Sequence, residues 1–353
     1  MVKTAYIFPG QGSQYVGMGL DLYNKYPSAK AVFDRADEVL GFYLTKLCFE
    51  GPEEELELTV NAQPALLVTS IATLEAAIEV AAGALPKPAY MAGHSLGEYT
   101  ALTAAGALDF DTAVTLARER GRLMYEAGLQ KPGAMAAIIG MSREILAEIC
   151  NETGTFIANL NSPGQIVISG AKEHVKKAIK TAMERGAKLA VQLQVSGAFH
   201  SPLMSSAAKG LKKRVQKLPV LMAMEKVRQT VWDGASFSLR SNATLGATIQ
   251  TDTRTGKDTI TETAISAPVI PVIGNTTVQE LTTAESVRDE LLEQVGHCVL
   301  WEDSIKYLIS RGVDNFIEIG PGEVLSGLVE RIDDSVTTLS IGDCDAVEAL
   351  RAK

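Results

Sequence analysis

Short apolar runs alternate with longer segments of helical periodicity in the first third of the chain. The runs Ala5 to Phe8 and Tyr90 to Ala92 predict buried strands, and each is followed by a glycine-containing turn. Residues Ser28 to Leu40, Pro52 to Leu58 and Gln63 to Ala81 predict helices, the last of them apolar at nearly every core-facing position. Strands that alternate with helices in this way predict an α/β fold with a mostly parallel sheet.

The order of predicted elements changes between Pro132 and Ser196. The predicted elements there are Ala134 to Ile139, Ser142 to Cys150, Phe156 to Asn159, Ile166 to Ser169, Lys172 to Arg185 and Lys188 to Gln194. They give the order β-α-β-β-α-β, which is typical of a ferredoxin-like fold. We therefore predict a small ferredoxin-like subdomain at residues 132–196, beside a large α/β body formed by residues 1–131 and 197–353. A cleft is expected between the two.

The rest of the chain returns to the large body. Predicted elements are Leu203 to Lys217, Val269 to Ile273, Thr283 to Gln294, Trp301 to Ser310 and Asn315 to Ile319. Residues 219–264 differ in composition, being polar with eight threonines between Ser241 and Thr263, and indicate an insertion. Alternating residues around a Gly-containing turn within it predict a solvated β-hairpin, with disorder as the alternative.

Composition and charge narrow the possible functions. A chain of 353 residues that is 46% hydrophobic can bury a full core, and its net charge of −9 argues against nucleic-acid binding. The four cysteines show neither zinc-ligand spacing nor a disulfide pattern, which favours the reducing cytoplasm and predicts no metal site. The N-terminus lacks the apolar core of a signal peptide, and we expect no later apolar run to approach the ~20 residues of a membrane span.

A candidate nucleophile lies between the strand ending at Ala92 and the helix beginning at Glu98. Gly93-His94-Ser95-Leu96-Gly97 matches G-x-S-x-G, in which small glycines allow a sharp turn that exposes the serine hydroxyl at the N-terminus of the next helix. The alternative is an ordinary turn with a capping serine.

A serine nucleophile needs a base, and the chain has four histidines. His94 adjoins the serine and is expected to point away from it, and His174 begins a lysine-rich helix and is expected to be solvated. His200 lies in a loop where the small subdomain rejoins the body, so spacing favours it as the base. His297, also in a loop between helices, remains a rival.

An arginine is predicted on the inward face of a helix. Arg120 falls on the same helical stripe as Ala117 and Met124, whereas Arg118 and Arg122 point to the other side and are expected to be solvated. A buried guanidinium must meet an anion, which is either a buried carboxylate of the protein or the carboxylate of a ligand.

The glycine-rich loop from Pro9 to Gln14 follows the first strand. It lacks both G-x-G-x-x-G and the P-loop Lys-Ser/Thr, which argues against a nucleotide site. Its backbone amides are instead expected to face the serine. One amide there and one just after Ser95 would form an oxyanion hole.

Eight motifs in this order resemble the malonyl-CoA:acyl carrier protein transacylases and the related acyltransferase domains of polyketide synthases. They read FPGQGSQ, GHSLGEY, ERGRLM, GAMAAIIG, NSPGQIVISG, GAFHSPLM, PVIGNT and EIGPGEVLSGL. The resemblance covers nearly the whole chain except about residues 219–264. It implies an α/β-hydrolase-like large body and an acyltransferase that supplies fatty acid or polyketide synthesis, without a cofactor.

The resemblance also implies roles for individual residues. Ser95 would attack the thioester of malonyl-CoA, and His200 would take its proton and later activate the thiol of the carrier protein. Backbone amides of Gln11 and Leu96 would hold the oxyanion, and Arg120 would pair with the malonyl carboxylate.

Further roles implied by the resemblance concern the surroundings of the base. A main-chain carbonyl near Gln294 would orient the His200 ring, and Asn161 would lie near the site. Phe199 would restrict substituents on the α-carbon, so malonyl would be preferred to methylmalonyl. His297 would then be a bystander.

The expected partners are malonyl-CoA and an acidic acyl carrier protein, and the protein is expected to be a monomer. Candidate carrier contacts are Lys209, Lys212, Lys213, Arg214 and Lys217, for which a solvated helix face is the alternative. Two other functions are open. An α/β-hydrolase esterase would require an Asp or Glu as a third member of the triad, and a carrier-binding protein would lack turnover.

Overall fold

The chain folds around two principal β-sheets. A computed structural model describes residues 2–81, 83, 85–195, 197–220, 249–251, 258–260 and 264–352. Its strands are β1 Thr4–Phe8, β2 Tyr90–Gly93, β3 Gly133–Ile139, β4 Phe156–Ser162, β5 Gln165–Ala171, β6 Leu189–Gln192, β7 Ile249–Thr251, β8 Asp258–Ile260, β9 Val272–Ile273, β10 Glu280–Leu281, β11 Asn315–Ile319 and β12 Thr337–Ile341.

Helices surround the large sheet and cover one face of the small one. They are α1 Leu20–Lys25, α2 Pro27–Leu40, α3 Leu44–Glu50, α4 Glu53–Glu57, α5 Thr59–Ala81, α6 Gly97–Ala104, α7 Phe110–Gln130, α8 Arg143–Thr153, α9 Lys172–Glu184, α10 Ser205–Val215, α11 Ala284–Glu293, α12 Trp301–Ser310, α13 Val324–Ile332 and α14 Cys344–Glu348. Short 3-10 turns lie at Pro202–Met204, Gln294–Gly296 and Ala349–Ala352.

The large sheet has the strand order β10-β9-β2-β1-β11-β12. Its strands pair in parallel except at the β10 edge, which is antiparallel to β9. The predicted mostly parallel sheet is therefore confirmed. The sequence reading missed β12, because this edge strand is threonine-rich and only partly buried before Ile341. It also missed α1, α3, α13 and α14.

The small sheet is antiparallel with the order β4-β5-β3-β6. One face carries Ala136, Ile138 and Ile168, which pack in a separate core that includes residues of α8 and α9. The opposite face places Met135 and Val167 in the main core. Four strands in this order with two helices on one face form the ferredoxin-like arrangement, so the predicted fold class is confirmed.

Helix α5 is the buried centre of the large body, and it begins four residues before the predicted Gln63. Pro64 inside the helix has no N–H for the carbonyl of Val60. A guanidinium nitrogen of Arg118 on α7 donates to that carbonyl at 2.8 Å instead. The expectation that Arg118 lies on a solvated face is therefore wrong. Arg122 is exposed, as predicted, and it pairs with Glu119 and Glu126.

Helix α5 contradicts the expectation that no apolar run approaches the length of a membrane span. By length and composition α5 is the one helix among the described residues that could cross a membrane. Within the fold, 83% of the qualifying stretch is buried, as in the core helix of a globular domain.

Part of the predicted insertion lies outside the described residues, namely 221–248, 252–257 and 261–263. Strands β7 and β8 pair antiparallel within it, with Gln250 opposite Thr259. This pairing agrees with the hairpin that the alternating residues predict. The loop residue Ser196 also lies outside the described part of the chain.

Candidate active site

The turn between β2 and α6 presents Ser95 at the carboxyl end of the large sheet. A Cβ on Gly93 would lie 1.9 Å from the carbonyl oxygen of Gly97, and one on Gly97 would lie 2.0 Å from that of Phe8. Only glycine fits either position. Ser95 itself has a φ of 53°, a left-handed conformation that is uncommon for a residue with a side chain. The sharp turn that G-x-S-x-G predicts is therefore present.

The His200 ring lies beside the serine hydroxyl. Its Nε2 is 2.8 Å from the Oγ of Ser95, and its Nδ1 is 3.1 Å from the carbonyl oxygen of Gln294 and 3.0 Å from that of His297. Carbonyl oxygens only accept hydrogen bonds, so Nδ1 carries the proton and Nε2 is free to accept from Ser95. Burial, the charge of Arg120 and the proximity of His94 together lower the pKa of His200 to about 3. The ring is therefore a neutral base.

Arg120 on α7 reaches the same hydroxyl from the other side. Its guanidinium donates to the Oγ of Ser95 at 3.0 Å, to Oε1 of Gln63 at 2.7 Å and to Oε1 of Gln294 at 3.0 Å. Only 1% of the residue is exposed, and its Nε has no hydrogen-bond partner. Within the described residues no carboxylate lies at ion-pair distance from it. A buried cation held only by neutral groups is poised for an anionic ligand.

A cavity of about 270 Å³ opens in front of these groups. The predicted site residues that line it are Gln11, Ser95, Leu96, Arg120, Phe199 and His200. Two predicted residues do not line it. Asn161 contacts the site indirectly, since its Oδ1 is 2.9 Å from Nε2 of His94, and Gln294 lies behind Ser95 and Arg120.

The two residues predicted to supply the oxyanion hole lie on the cavity wall. Gln11 and Leu96 both line it, and among the described residues their N–H groups have no hydrogen-bond acceptor. The Gln11 side chain is occupied elsewhere, because its Oε1 accepts from Oγ1 of Thr59 at 2.8 Å. Two unengaged amides beside a serine hydroxyl can bind a negatively charged oxygen.

The other histidines take different positions. His94 is a cavity residue, and its ring packs edge-on against Trp301 with Nε2 at 2.9 Å from Oδ1 of Asn161. His174 is exposed, as predicted. The side chain of His297 is 60% exposed, yet its carbonyl oxygen accepts from the His200 ring. Its side chain is therefore remote from the chemistry while its backbone takes part in orienting the base.

Three polar residues of the site were missed by the sequence reading. Gln63 is 1% exposed on α5, Asn275 is 2% exposed two residues after β9, and Asn159 lines the cavity from β4. The available signal is a polar residue within an apolar run or close after one. Such residues need a hydrogen-bond partner when buried and so indicate a polar site.

The basic residues singled out on and after α10 are all exposed. Helix α10 packs against α7, which carries Arg120, and against the 3-10 turn that contains Gln294. The basic surface is therefore one helix layer away from the cavity. Among the described residues, no group of three or more His, Cys, Asp or Glu side chains is placed to hold a metal ion.

Comparisons with known proteins give one consistent family. The model of the acyl transferase domain matches residues 5–341. The malonyl CoA-acyl carrier protein transacylase of Bacillus subtilis (strain 168) is 44% identical, with 99% of this chain and 96% of that protein covered. The solved malonyl CoA-acyl carrier protein transacylase from Coxiella burnetii is 35% identical with a TM-score of 0.83, covering 99% and 97% of the two chains.

A second solved structure contains a partner protein. It is described as a type II polyketide synthase acyl-carrier protein in complex with its malonyl-transacylase. The similar chain in it is 34% identical with a TM-score of 0.81, and 99% of each chain is covered.

Proposed function

This chain belongs to the acyl transferase domain family, and from that premise we propose that it moves a malonyl group from malonyl-CoA to the thiol of an acyl carrier protein. The observation that carries the proposal is the buried guanidinium of Arg120, 3.0 Å from the Oγ of Ser95 and without a carboxylate partner among the described residues. An acyl group that bears its own carboxylate fits this position. A neutral acyl group would leave the cation unpaired.

In the first half of the proposed reaction Ser95 becomes acylated. Nε2 of His200 takes the hydroxyl proton as Oγ forms a bond to the thioester carbon. The negative charge on the carbonyl oxygen is held by the amides of Gln11 and Leu96. The C–S bond then breaks, and His200 returns its proton to the departing thiolate of coenzyme A.

In the second half the carrier protein replaces coenzyme A. His200 takes a proton from the carrier's pantetheine thiol, whose sulfur attacks the malonyl ester of Ser95. The ester C–O bond breaks, and the proton passes from His200 to Ser95. Atoms and charge balance with these side chains and two thiols, so the proposed reaction calls on no cofactor. In this scheme Phe199, on the cavity wall, limits substituents on the α-carbon, and Asn161 holds His94 at the cavity edge.

We propose that the carrier binds the basic surface formed by Lys209, Lys212, Lys213, Arg214 and Lys217. Carrier recognition by a similar protein of this family supports an acceptor of that class. The exposed positive charges suit an acidic partner, and α10, which carries four of them, packs against the helix of Arg120.

We also propose how the chain is divided into domains and where the protein acts. Residues 132–196 form the small subdomain, and residues 1–131 and 197–353 form the large body with an insertion at 219–264. We propose that the protein acts as a monomer and that it resides in the cytoplasm. The free state of Cys48, Cys150, Cys298 and Cys344 supports the second of these, since disulfides are rare in that reducing compartment.

Intact-protein mass spectrometry tests the function directly. Incubation with malonyl-CoA alone is expected to add one malonyl group, which Ser95→Ala abolishes and which acetyl-CoA does not replace. Addition of a pantetheine-loaded acyl carrier protein is expected to move the malonyl group to the carrier. Release of free malonate without an adduct would indicate a hydrolase, and absence of any reaction would indicate a binding protein.

A further inference from the structure

We propose that Asn275 is a positioning residue for the nucleophile, a role that rests on the function proposed above. Asn275 follows β9, which pairs in parallel with β2, the strand that leads into Ser95. The residue is 2% exposed and does not line the cavity. It therefore acts on Ser95 through the backbone and not through contact with the acyl group.

The carboxamide of Asn275 spans the turn that holds the serine. Its Oδ1 accepts from the N–H of Ser95 at 2.8 Å, and its Nδ2 donates to the carbonyl of Gly93 at 2.7 Å. The two bonds fix the orientation of the amide, since the reverse orientation would oppose donor to donor and acceptor to acceptor. These backbone groups lie between the end of β2 and the start of α6, and the side chain supplies the partners they need.

The loop that carries Asn275 is itself held by two buried carboxyl groups. Oε2 of Glu98 accepts from the N–H of Asn275 at 2.7 Å, and Oε1 of Glu290 accepts from the N–H of Thr276 at 2.8 Å. Glu98 is fully buried and Glu290 is 3% exposed. Successive backbone amides are thus fixed, so the Asn275 side chain approaches the turn from a rigid base.

Gln294 completes the arrangement from the opposite side. Its Nε2 donates to the carbonyl of Ser95 at 2.8 Å, so both backbone polar groups of Ser95 are bonded to side-chain amides from outside the turn. The N–H of Ser95 is engaged by Asn275, whereas the N–H of Leu96, a residue of the cavity wall, has no acceptor among the described residues. Asn275 therefore holds the left-handed conformation of Ser95 and, with it, the aim of both the hydroxyl and the oxyanion amide.

The test is the single-turnover rate of Ser95 acylation as a function of malonyl-CoA concentration, followed by mass spectrometry. Asn275→Ala is expected to lower the limiting rate at least about 10-fold, as loss of transition-state alignment does, with an unchanged half-saturating concentration. The hydroxyl of Asn275→Ser can make at most one of the two bonds, so this variant is expected to have a limiting rate between those of Asn275→Ala and the unsubstituted protein. It replaces the alanine variant in the test if that variant does not fold. The matched control is Asn315→Ala, which removes amide hydrogen bonds to Thr4 and Thr337 at the other end of the sheet.

A limiting rate within twofold of the unsubstituted protein in folded Asn275→Ala, or in Asn275→Ser where the alanine variant does not fold, would overturn the inference. So would an equal loss in Asn315→Ala, or a change confined to the half-saturating concentration. A serine-directed fluorophosphonate separates this failure from failure of the proposed function, because it reacts with an aligned Ser95 without any malonyl recognition. If malonyl-CoA gives no adduct, slower fluorophosphonate labelling of Asn275→Ala still supports the positioning role, and equal labelling refutes it.

Discussion

Ser95 and His200 share a left-handed backbone conformation, each with a φ of 53°, and their side chains meet at 2.8 Å. Neither residue is a glycine, so each conformation costs about 1–3 kcal/mol that the surrounding structure must supply. Strain is thus located at both ends of the hydrogen bond on which the proposed acylation depends.

Backbone strain at Ser95 predicts an unusual order of stability for two variants that both lack the hydroxyl. Ser95→Gly is expected to be more stable than Ser95→Ala by about 1 kcal/mol, because glycine adopts a positive φ without a steric cost. Urea unfolding measures the difference. The control pair is Ser206→Gly and Ser206→Ala on the exposed face of α10, where alanine should be the more stable by about 1 kcal/mol. A Ser95 pair that follows the helix order would contradict the assignment of strain.

The pH dependence of acylation follows from the state of His200. Burial, followed by the charge of Arg120, lowers the pKa of this ring to about 3, so it remains neutral and able to accept a proton throughout pH 5–8. The second-order rate constant for acylation, which reports groups of the free enzyme, is therefore expected to show no acid limb in that range. Rapid-quench measurements at constant ionic strength test this, and an acid limb centred near pH 6.5 would show that the free ring titrates normally.

Arg120 and Arg122 lie on the same helix and provide a matched test of acyl selectivity. Arg120→Ala is expected to lower malonyl loading of Ser95 about 100-fold, the equivalent of about 3 kcal/mol for two charge-assisted hydrogen bonds, while acetyl loading rises or is unchanged. Arg122→Ala removes an exposed charge that pairs with Glu119 and Glu126, and should leave both loadings unchanged. Parallel loss of malonyl and acetyl loading in Arg120→Ala would indicate a structural role for that arginine.

The sequence correctly predicted those parts of the structure that a local pattern of residues determines. The apolar run before Gly93 and the spacing of G-x-S-x-G predicted the turn at Ser95, because strand, turn and helix all form within a few residues. The inward direction of Arg120 followed in the same way from helical periodicity. The β-α-β-β-α-β order likewise predicted the small sheet.

Contacts between distant segments could not be predicted from local pattern. Asn275 and Gln294 reach the backbone of Ser95 across 180 and 199 residues of chain, through the register of β9 against β2 and the position of a 3-10 turn. Arg118 was placed wrongly for the same reason. Its partner is the carbonyl of Val60, which Pro64 leaves free on α5. The periodicity of α7 carries no information about a contact with another helix.

Glu75 provides a prediction about stability that is independent of the active site. It is 6% exposed on α5, its Oε1 has no hydrogen-bond partner, and Glu79 lies one turn away. Burial, reinforced by the charge of Glu79, raises the pKa of Glu75 to about 8. The folded state therefore holds a proton that the unfolded chain, with an ordinary carboxyl pKa of about 4.3, releases at lower pH.

The difference between the folded and unfolded pKa of Glu75 fixes the direction in which stability changes with pH. The contribution of Glu75 to stability is fully present below about pH 4.3 and is lost progressively as the pH rises towards 8. Glu75→Gln, which has no proton to lose, should therefore gain stability relative to the unsubstituted protein by about 3–4 kcal/mol between pH 5 and pH 8. Urea unfolding at the two pH values measures this change, with the exposed Glu57→Gln as the control. A difference between Glu75→Gln and the unsubstituted protein that is the same at both pH values would show that this carboxyl is ionised in the folded core.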